Sequence, residues 1–386
     1  MAKENELMRI RDYFPLGMAI GDAFCNRKKE TEILVENILN GKHSLLIASR
    51  RYGKSSLALH ALSISHLPYT EIDFYMASSE KIIETYILHG VADLMGKALG
   101  AMDKWINSIK KYVKNLNPKL EIGGTYMKLE LTASTQSDPA MNVKEALLLL
   151  ERLLEEKKTS AVLLMDEFQN VGMIAKGKGI EGAIRHVAQK TRYLTILFSG
   201  SNRHLLRTMF EDEARPLYKL CWQLPLKRIA LEHYQIHLQK AAQIAWSQHL
   251  SDEVFYKIMQ LTERHPYYVN KFCDKLWTYC SKKPPCMDDV NLYWLEVLEE
   301  EKSDAIKEIS ILPAGQKNVL LKIAQKNTLK LTSKQTILEL QMPSSSIMRA
   351  LASLEEKDLI EKEGNEYQII NPIISFYVLK NAPMVS

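Results

Sequence analysis

One pattern limits the possible fold more than any other. An apolar run, Ser44 to Ala48, leads into a polar loop that ends in Gly53-Lys54-Ser55, after which Leu57, Leu59, Ala61 and Leu62 follow helical spacing. A strand this short and continuously apolar is buried on both faces, so helices must cover both sides of a parallel sheet. Further runs fit the same plan. Glu71 to Met76 alternates, Ser160 to Glu167 is apolar and ends in two acids, Leu194 to Ser199 leads into Gly200-Ser201, and Leu220 to Leu226 is a candidate fifth strand. Helical stretches at Asn142 to Lys157 and Gly179 to Arg192 alternate with these runs. The expectation is an α/β domain with a mainly parallel sheet.

The loop carries specific chemistry. Ala48 to Ser55 matches G-x-x-x-x-G-K-[ST], with alanine at the first glycine, and lies between strand and helix as the motif requires. Gly53 lets the backbone curl so that N–H groups, including those of Ser49, Arg50, Arg51, Tyr52 and Ser56, can face phosphate oxygens. Lys54 would reach the β- and γ-phosphates, and the Ser55 hydroxyl would ligate Mg2+. Such a loop calls for a second strand ending in an acid. Val162 to Glu167 supplies it, with Asp166 as the metal-side acid and Glu167 placed to polarise an attacking water. The strand ending at Ser199 should neighbour the loop strand. Ser201 or Asn202 is then a candidate γ-phosphate sensor and Arg203 a candidate contact to it, although Ser and Asn also serve as ordinary helix caps. Arg215 is a candidate arginine finger, with an ion pair to nearby acids as the plainer reading.

After Pro225 the texture becomes helical. Glu232 to Trp246, Asp252 to Leu261 and Pro266 to Tyr279 all show helical periodicity, and Lys282 to Pro285 forms a loop. From Pro313 the pattern is three helices, Gly315 to Lys326, Lys334 to Leu340 and Ser344 to Lys357. Two strands then flank the turn Glu363 to Glu366, which is a winged-helix outline. The expected fold is therefore a P-loop NTPase sheet with helices on both faces (residues 1–226, with a basic insertion at about 97–140), a helical lid (227–307) and a winged helix (308–386).

At this point the chain resembles the archaeal-type ATPases of the STAND branch of P-loop NTPases, relatives of the AAA+ class. The resemblance rests on Phe24 to Glu30 (like F-x-G-R-x-x-E), Arg50 to Leu57 (like R-R-x-G-K-T-S-L) and Leu164 to Gln169 (like L-x-D-E-F-Q). Ser199-Gly200-Ser201, Arg215 to Tyr218, His265-Pro266-Tyr267 and Asn371-Pro372 follow in order. It implies an ATP-driven switch whose adenine is bordered by Asn26, Arg27 and Pro266 and whose winged helix packs back on the ATPase. Three positions depart from the family: Asn26 and Arg264 stand where glycine is usual, and Ala48 replaces the first loop glycine. Arg264 thereby becomes a further candidate γ-phosphate sensor.

Charge bears on partners. The net charge of +5 over 386 residues is too small to mark a dedicated polyanion binder. Five lysines and no acid lie between Ile311 and Leu338, but the presumed recognition helix and wing, Glu339 to Glu366, hold three cations against seven acids. Base reading by that helix is disfavoured, because Arg349 is its one long donor before Lys357. In the insertion, Lys104 to Leu120 reads as an amphipathic helix with Lys110, Lys111 and Lys114 on one side. It is either a solvated surface helix or a dock for anionic lipid, RNA or an acidic partner. Gly123 to Ala133 alternates like a strand and suggests a small hairpin.

Five cysteines without a C-x-x-C pair, and histidines without ligand spacing, read as packing residues, and no run has membrane-span length. The expected protein is cytoplasmic and uses ATP and Mg2+. It engages a protein partner or a second copy of itself, with a DNA-associated helper ATPase and a non-hydrolysing scaffold as the alternatives.

Overall fold

The computed structural model describes residues 13–100, 116–123, 126–133, 137–174, 178–326 and 331–381, together with residues 105, 109 and 112. The chain forms two compact units. One comprises Arg27–Arg50 and Lys54–Leu226, and the other Met1–Asn26, Arg51–Gly53 and Lys227–Ser386.

The first unit is built on a five-stranded parallel sheet. Its strands are β1 (Ser44–Ile47), β2 (Tyr69–Asp73), β5 (Ala161–Asp166), β6 (Leu194–Gly200) and β7 (Trp222–Pro225), arranged β2-β5-β6-β1-β7. Position in the sheet follows the apolar pattern. The continuously apolar strands β5, β6 and β1 are internal and buried throughout, whereas the alternating β2 and the exposed β7 are the edges. Helices Lys54–Ser65, Glu80–Leu99, Pro139–Lys157 and Lys178–Ala188 supply the parallel crossovers; the last three close one core with the sheet, whereas Lys54–Ser65 packs with helix Lys28–Leu39. Beneath the strand ends, Phe168 packs edge-on against Phe198 at 4.7 Å between ring centroids, and Phe198 against Phe210 at 5.2 Å.

Strand β2 starts and stops earlier than the alternation over Glu71 to Met76 suggests. It pairs with β5 from Tyr69↔Val162 to Asp73↔Asp166, and then the Asp73 carboxylate accepts from Tyr75 N at 2.8 Å and turns the chain. In the insertion, β3 (Leu116–Gly123) and β4 (Tyr126–Ala133) form an antiparallel hairpin. Leu116 to Leu120 therefore belong to a strand, not to the end of the expected helix. The cationic side chains of that stretch, Lys104, Lys110, Lys111 and Lys114, lie outside the described residues.

The second unit is helical apart from one hairpin. Helices Leu231–Trp246, Asp252–Thr262, Pro266–Tyr279 and Met287–Ser310 are followed by Ala314–Ala324, Lys334–Leu340 and Ser344–Glu356. The wing strands β8 (Ile360–Glu363) and β9 (Glu366–Ile369) pair antiparallel. A last helix, Pro372–Lys380, capped by the Asn371 side chain, was not expected from the pattern. Its nearly all-apolar surface is buried, and Tyr377 Oη donates to Leu298 O at 3.0 Å. One continuous core joins these helices to the winged helix and to Tyr13 and Phe14. Among the described residues no helix is long and apolar enough to cross a membrane.

Some packing expectations need correction. Cys286 is exposed and caps the helix Met287–Ser310, and His66 and His204 are exposed.

Candidate active site

The phosphate loop leaves the carboxyl end of β1, and its chain bends through left-handed backbone at Arg51 (φ 63°) and Gly53 (φ 83°) before the helix begins at Lys54. The first helical turn thus presents its N–H groups and its positive dipole end at the edge of the sheet. Ser49, Tyr52, Lys54 and Ser56 are buried, while Arg50 and Arg51 are exposed. The ammonium of Lys54 donates to the carbonyls of Ala48 and Ser49, both at 3.3 Å, so the cation is held over the loop by the loop's own backbone.

Strand β6 separates β1 from β5, and its residues fill the space between lysine and acids. Asp166, at the end of β5, accepts from Ser55 Oγ at 3.2 Å, from Ser199 Oγ and from Glu167 N at 2.9 Å. The next acid, Glu167, has a left-handed backbone (φ 49°), and its Oε2 accepts from Ser201 Oγ at 2.8 Å and from Gln169 Nε2. Neighbouring carboxylates add negative field. Asp73 pairs across the strands with Asp166, and the Glu71 carboxyl is pushed up by burial and by the charges of Asp166 and Asp73. The oxygens of Ser55 and Asp166 are hard donors that suit Mg2+, which binds through few protein ligands and keeps water and phosphate for the rest. No group of three or more His, Cys, Asp or Glu residues that could hold a metal alone exists among the described residues.

Other sequence candidates fall elsewhere. Asn202 caps the helix Arg203–Glu211 by accepting from Leu205 N at 3.0 Å, which is its plain structural role, and Arg203 is the first helical residue. Arg215 is not presented as a finger. It is paired with the fully buried Glu181, whose carboxyl is raised to about 7 by burial against the opposing pull of Arg215. Arg27 is buried and bonds Glu30 at 3.2 Å in its own motif. The two family-glycine positions keep the glycine-like backbone, with φ 51° at Asn26 and 58° at Arg264. Arg264 and Pro266 belong to the C-terminal unit, where Pro266 opens its helix behind the buried cap residue His265.

Two residues missed from sequence complete the site. Ser199 bonds Asp166, and Gln169 bonds Glu167 and lies 3.5 Å from Ser201 Oγ. Gln169 Oε1 is buried without a partner, and a Cβ on Gly200 would lie 2.0 Å from it, so only glycine lets this amide approach β6. The apolar run broken by Gly200 between two serines was the available signal.

Three basic residues of the winged helix are engaged within the unit, one of them by an acid. Lys322 pairs with Glu339, Lys317 donates to Ser310 O at 3.0 Å, and Arg349 bonds Ser345 O and Ser346 Oγ of its own helix. Lys330 lies outside the described residues.

Sheet order, loop and acids define a P-loop NTPase fold with a carboxy-terminal winged helix. A family model described as "Probable winged helix domain" matches residues 306–380. No curated protein matches the chain in sequence. Among solved structures the chain is similar to a Walker-type ATPase of Pyrococcus abyssi, with 17% identity, a TM-score of 0.65, and coverage of 95% of this chain and 99% of that one. It is also similar to the ORC2 protein of Aeropyrum pernix in ADPNP-ADP complexes (12% identity, TM-score 0.53, 96% of each chain). The ORC1 protein of Aeropyrum pernix in complex with DNA matches over 97% of each chain at 12% identity and a TM-score of 0.50. At these identities the likeness establishes the fold.

Proposed function

We propose that this chain is a Mg-ATP-binding and hydrolysing ATPase of the STAND type, a nucleotide-dependent switch that controls binding of a protein partner or self-association in the cytoplasm. One observation carries the reading: Lys54, Ser55, Asp166, Glu167 and Ser201 converge at the carboxyl edge of one parallel sheet. Backbone N–H groups from Ser49 to Ser56 cradle the phosphates. Lys54 exchanges its two backbone carbonyls for phosphate oxygens, and Ser55 with Asp166 holds Mg2+, which neutralises phosphate charge when bound. Glu167 takes the proton of the attacking water, Ser201 senses the γ-phosphate, and Arg203 offsets its charge. Asn26, Arg27 and Pro266 are the candidates for the base.

The reading divides the chain into an ATPase domain (1–226), a helical lid (227–307) and a winged helix (308–386). Slow turnover suits a switch. A radiolabelled ATP binding and hydrolysis assay with Lys54→Ala as control tests it, and equal binding by both proteins overturns the site assignment.

A second reading, a DNA-associated helper ATPase, draws support from the likeness to the ORC1 protein solved with DNA. It requires salt-dependent duplex binding that stimulates hydrolysis. No binding at low salt, where phosphate contacts are strongest, removes it.

A further inference from the structure

The middle of the phosphate loop, Arg51 to Gly53, folds with the C-terminal unit, and the reason is one buried side chain. Tyr52 is 1% exposed, and its hydroxyl donates to Glu361 Oε1 at 2.8 Å and accepts from Arg228 Nε at 3.4 Å. Glu361 lies on β8 of the wing, where Gln368 of β9 also donates to it at 2.8 Å. Arg228 spends its other donors on the wing and on the turn before Pro266. Nη2 reaches Ile369 O at 2.8 Å and Ile370 O at 3.1 Å, and Nη1 reaches Glu263 O at 2.7 Å. His265 meets the Tyr52 ring edge-on at 5.0 Å, and the Arg51 guanidinium stands 4.0 Å from the centre of the Tyr267 ring.

These contacts bear on the loop's backbone. Tyr52 sits between two left-handed residues, and the left-handed state of the non-glycine Arg51 is unfavourable on its own because Cβ crowds the following carbonyl oxygen. Such a conformation persists only where surrounding contacts over-determine it. Tyr52 and Arg51 supply those contacts, and chain continuity passes the result directly to Lys54 and Ser55. Burial raises the Tyr52 hydroxyl well above its ordinary range, so it stays a neutral donor to the Glu361 carboxylate.

We propose that Glu361 is a positioning residue for the phosphate loop: through the Tyr52 hydroxyl, the wing of the winged helix sets the loop's shape and so the rate at which bound nucleotide leaves. This rests on the ATP-binding reading above and adds a regulator to that site. Coupling between two sites is reciprocal in free energy, so nucleotide must tighten the wing by the factor with which the wing retains nucleotide.

The test uses the full chain as wild type, Tyr52→Phe, Glu361→Ala, the double variant, Glu361→Gln and Lys54→Ala. The readouts are release of a fluorescent ADP and hydrogen exchange of the Ile360 to Ile369 amides with and without ADP. Tyr52→Phe and Glu361→Ala should each speed release by about fivefold or more, near the lower end of usual coupling energies. The double variant should be no faster than the faster single, and Glu361→Gln, which keeps an acceptor oxygen, should fall back toward wild type. ADP should protect the wing amides in wild type and not in the two single variants, an effect that mere loss of stability does not produce. Wild-type release rates in both single variants, with Lys54→Ala still abolishing binding, would overturn the positioning role and leave the nucleotide site standing. Absence of ADP binding by the wild-type chain would overturn both.

Discussion

Ser55 Oγ donates to Asp166 Oδ2 across 3.2 Å, joining the first turn after β1 to the end of β5, two strands that do not touch. The serine comes from the proposed phosphate-binding loop, and the acid sits where the strand's buried apolar run ends. Both oxygens suit a small hard cation. Ser55→Ala and Asp166→Asn should each weaken Mg-ATP binding by at least about tenfold. Calorimetry checks this, and the difference from wild type should vanish in excess chelator. Equal weakening without Mg2+ would count against the metal assignment.

Glu167 is held by Ser201 and Gln169, so removing its charge should spare binding and remove proton transfer. Glu167→Gln should lower turnover by about 100-fold or more, the usual contribution of a general base. Phosphate release under single-turnover conditions measures it, with affinity for an ATP analogue within about twofold of wild type. Unchanged turnover would favour the non-hydrolysing scaffold.

Gly200 has no room for a methyl group beside Gln169 Oε1. Gly200→Ala should destabilise the chain by about 1–3 kcal/mol and lower turnover, because the amide that holds Glu167 must move. The double variant Gly200→Ala, Gln169→Ala should regain most of that stability in thermal melts. Additive losses would mean that the glycine matters for another reason.

Acid should weaken the C-terminal unit. Burial, together with the Arg228 and Arg51 charges, lowers His265 to about 3, and burial with Lys240 lowers His237 to about 4. Below the ordinary imidazole pKa of ~6.5, the unfolded chain takes up protons that the folded chain refuses, so stability falls as pH drops. Between pH 6.5 and 4 each histidine should cost on the order of 3 kcal/mol. Glu181 acts with the opposite sign. Its carboxyl is raised to about 7, so the folded chain holds a proton there that the unfolded chain releases near its ordinary pKa. The stability this contributes is lost as pH rises from ~4.5 through 7. Denaturant titrations from pH 4 to 8, followed by tryptophan fluorescence, measure the balance. His237→Gln should flatten the acid limb, and Glu181→Gln should flatten the decline toward neutral pH.

The sheet was legible because its three internal strands are mostly apolar runs and because Gly53-Lys54-Ser55 marks where the loop must lie. Helix Pro266–Tyr279 was legible from its proline, and Asp166 and Glu167 from ending such a run. The ends of β2 were not, since its register depends on pairing with Val162 to Asp166, and a local alternation does not encode a partner. Helix Pro372–Lys380 is nearly all apolar, so it shows no amphipathic period. The positions of Arg228 and Glu361 carry no local pattern at all. Their partners, Tyr52 and the wing, lie more than a hundred residues away along the chain, and only the folded unit brings them together.

The order of the sheet also has a consequence for synthesis. Ser44 of β1 pairs with Leu197 on one side and Trp222 on the other. During translation the loop strand therefore has no neighbour until β6 has left the ribosome. Pairings of such long separation form slowly, and a nascent chain carrying an unpaired apolar strand is exposed to aggregation meanwhile. The proposed nucleotide site is encoded early and completed late, so truncations ending before β7 should yield chains that chaperones retain.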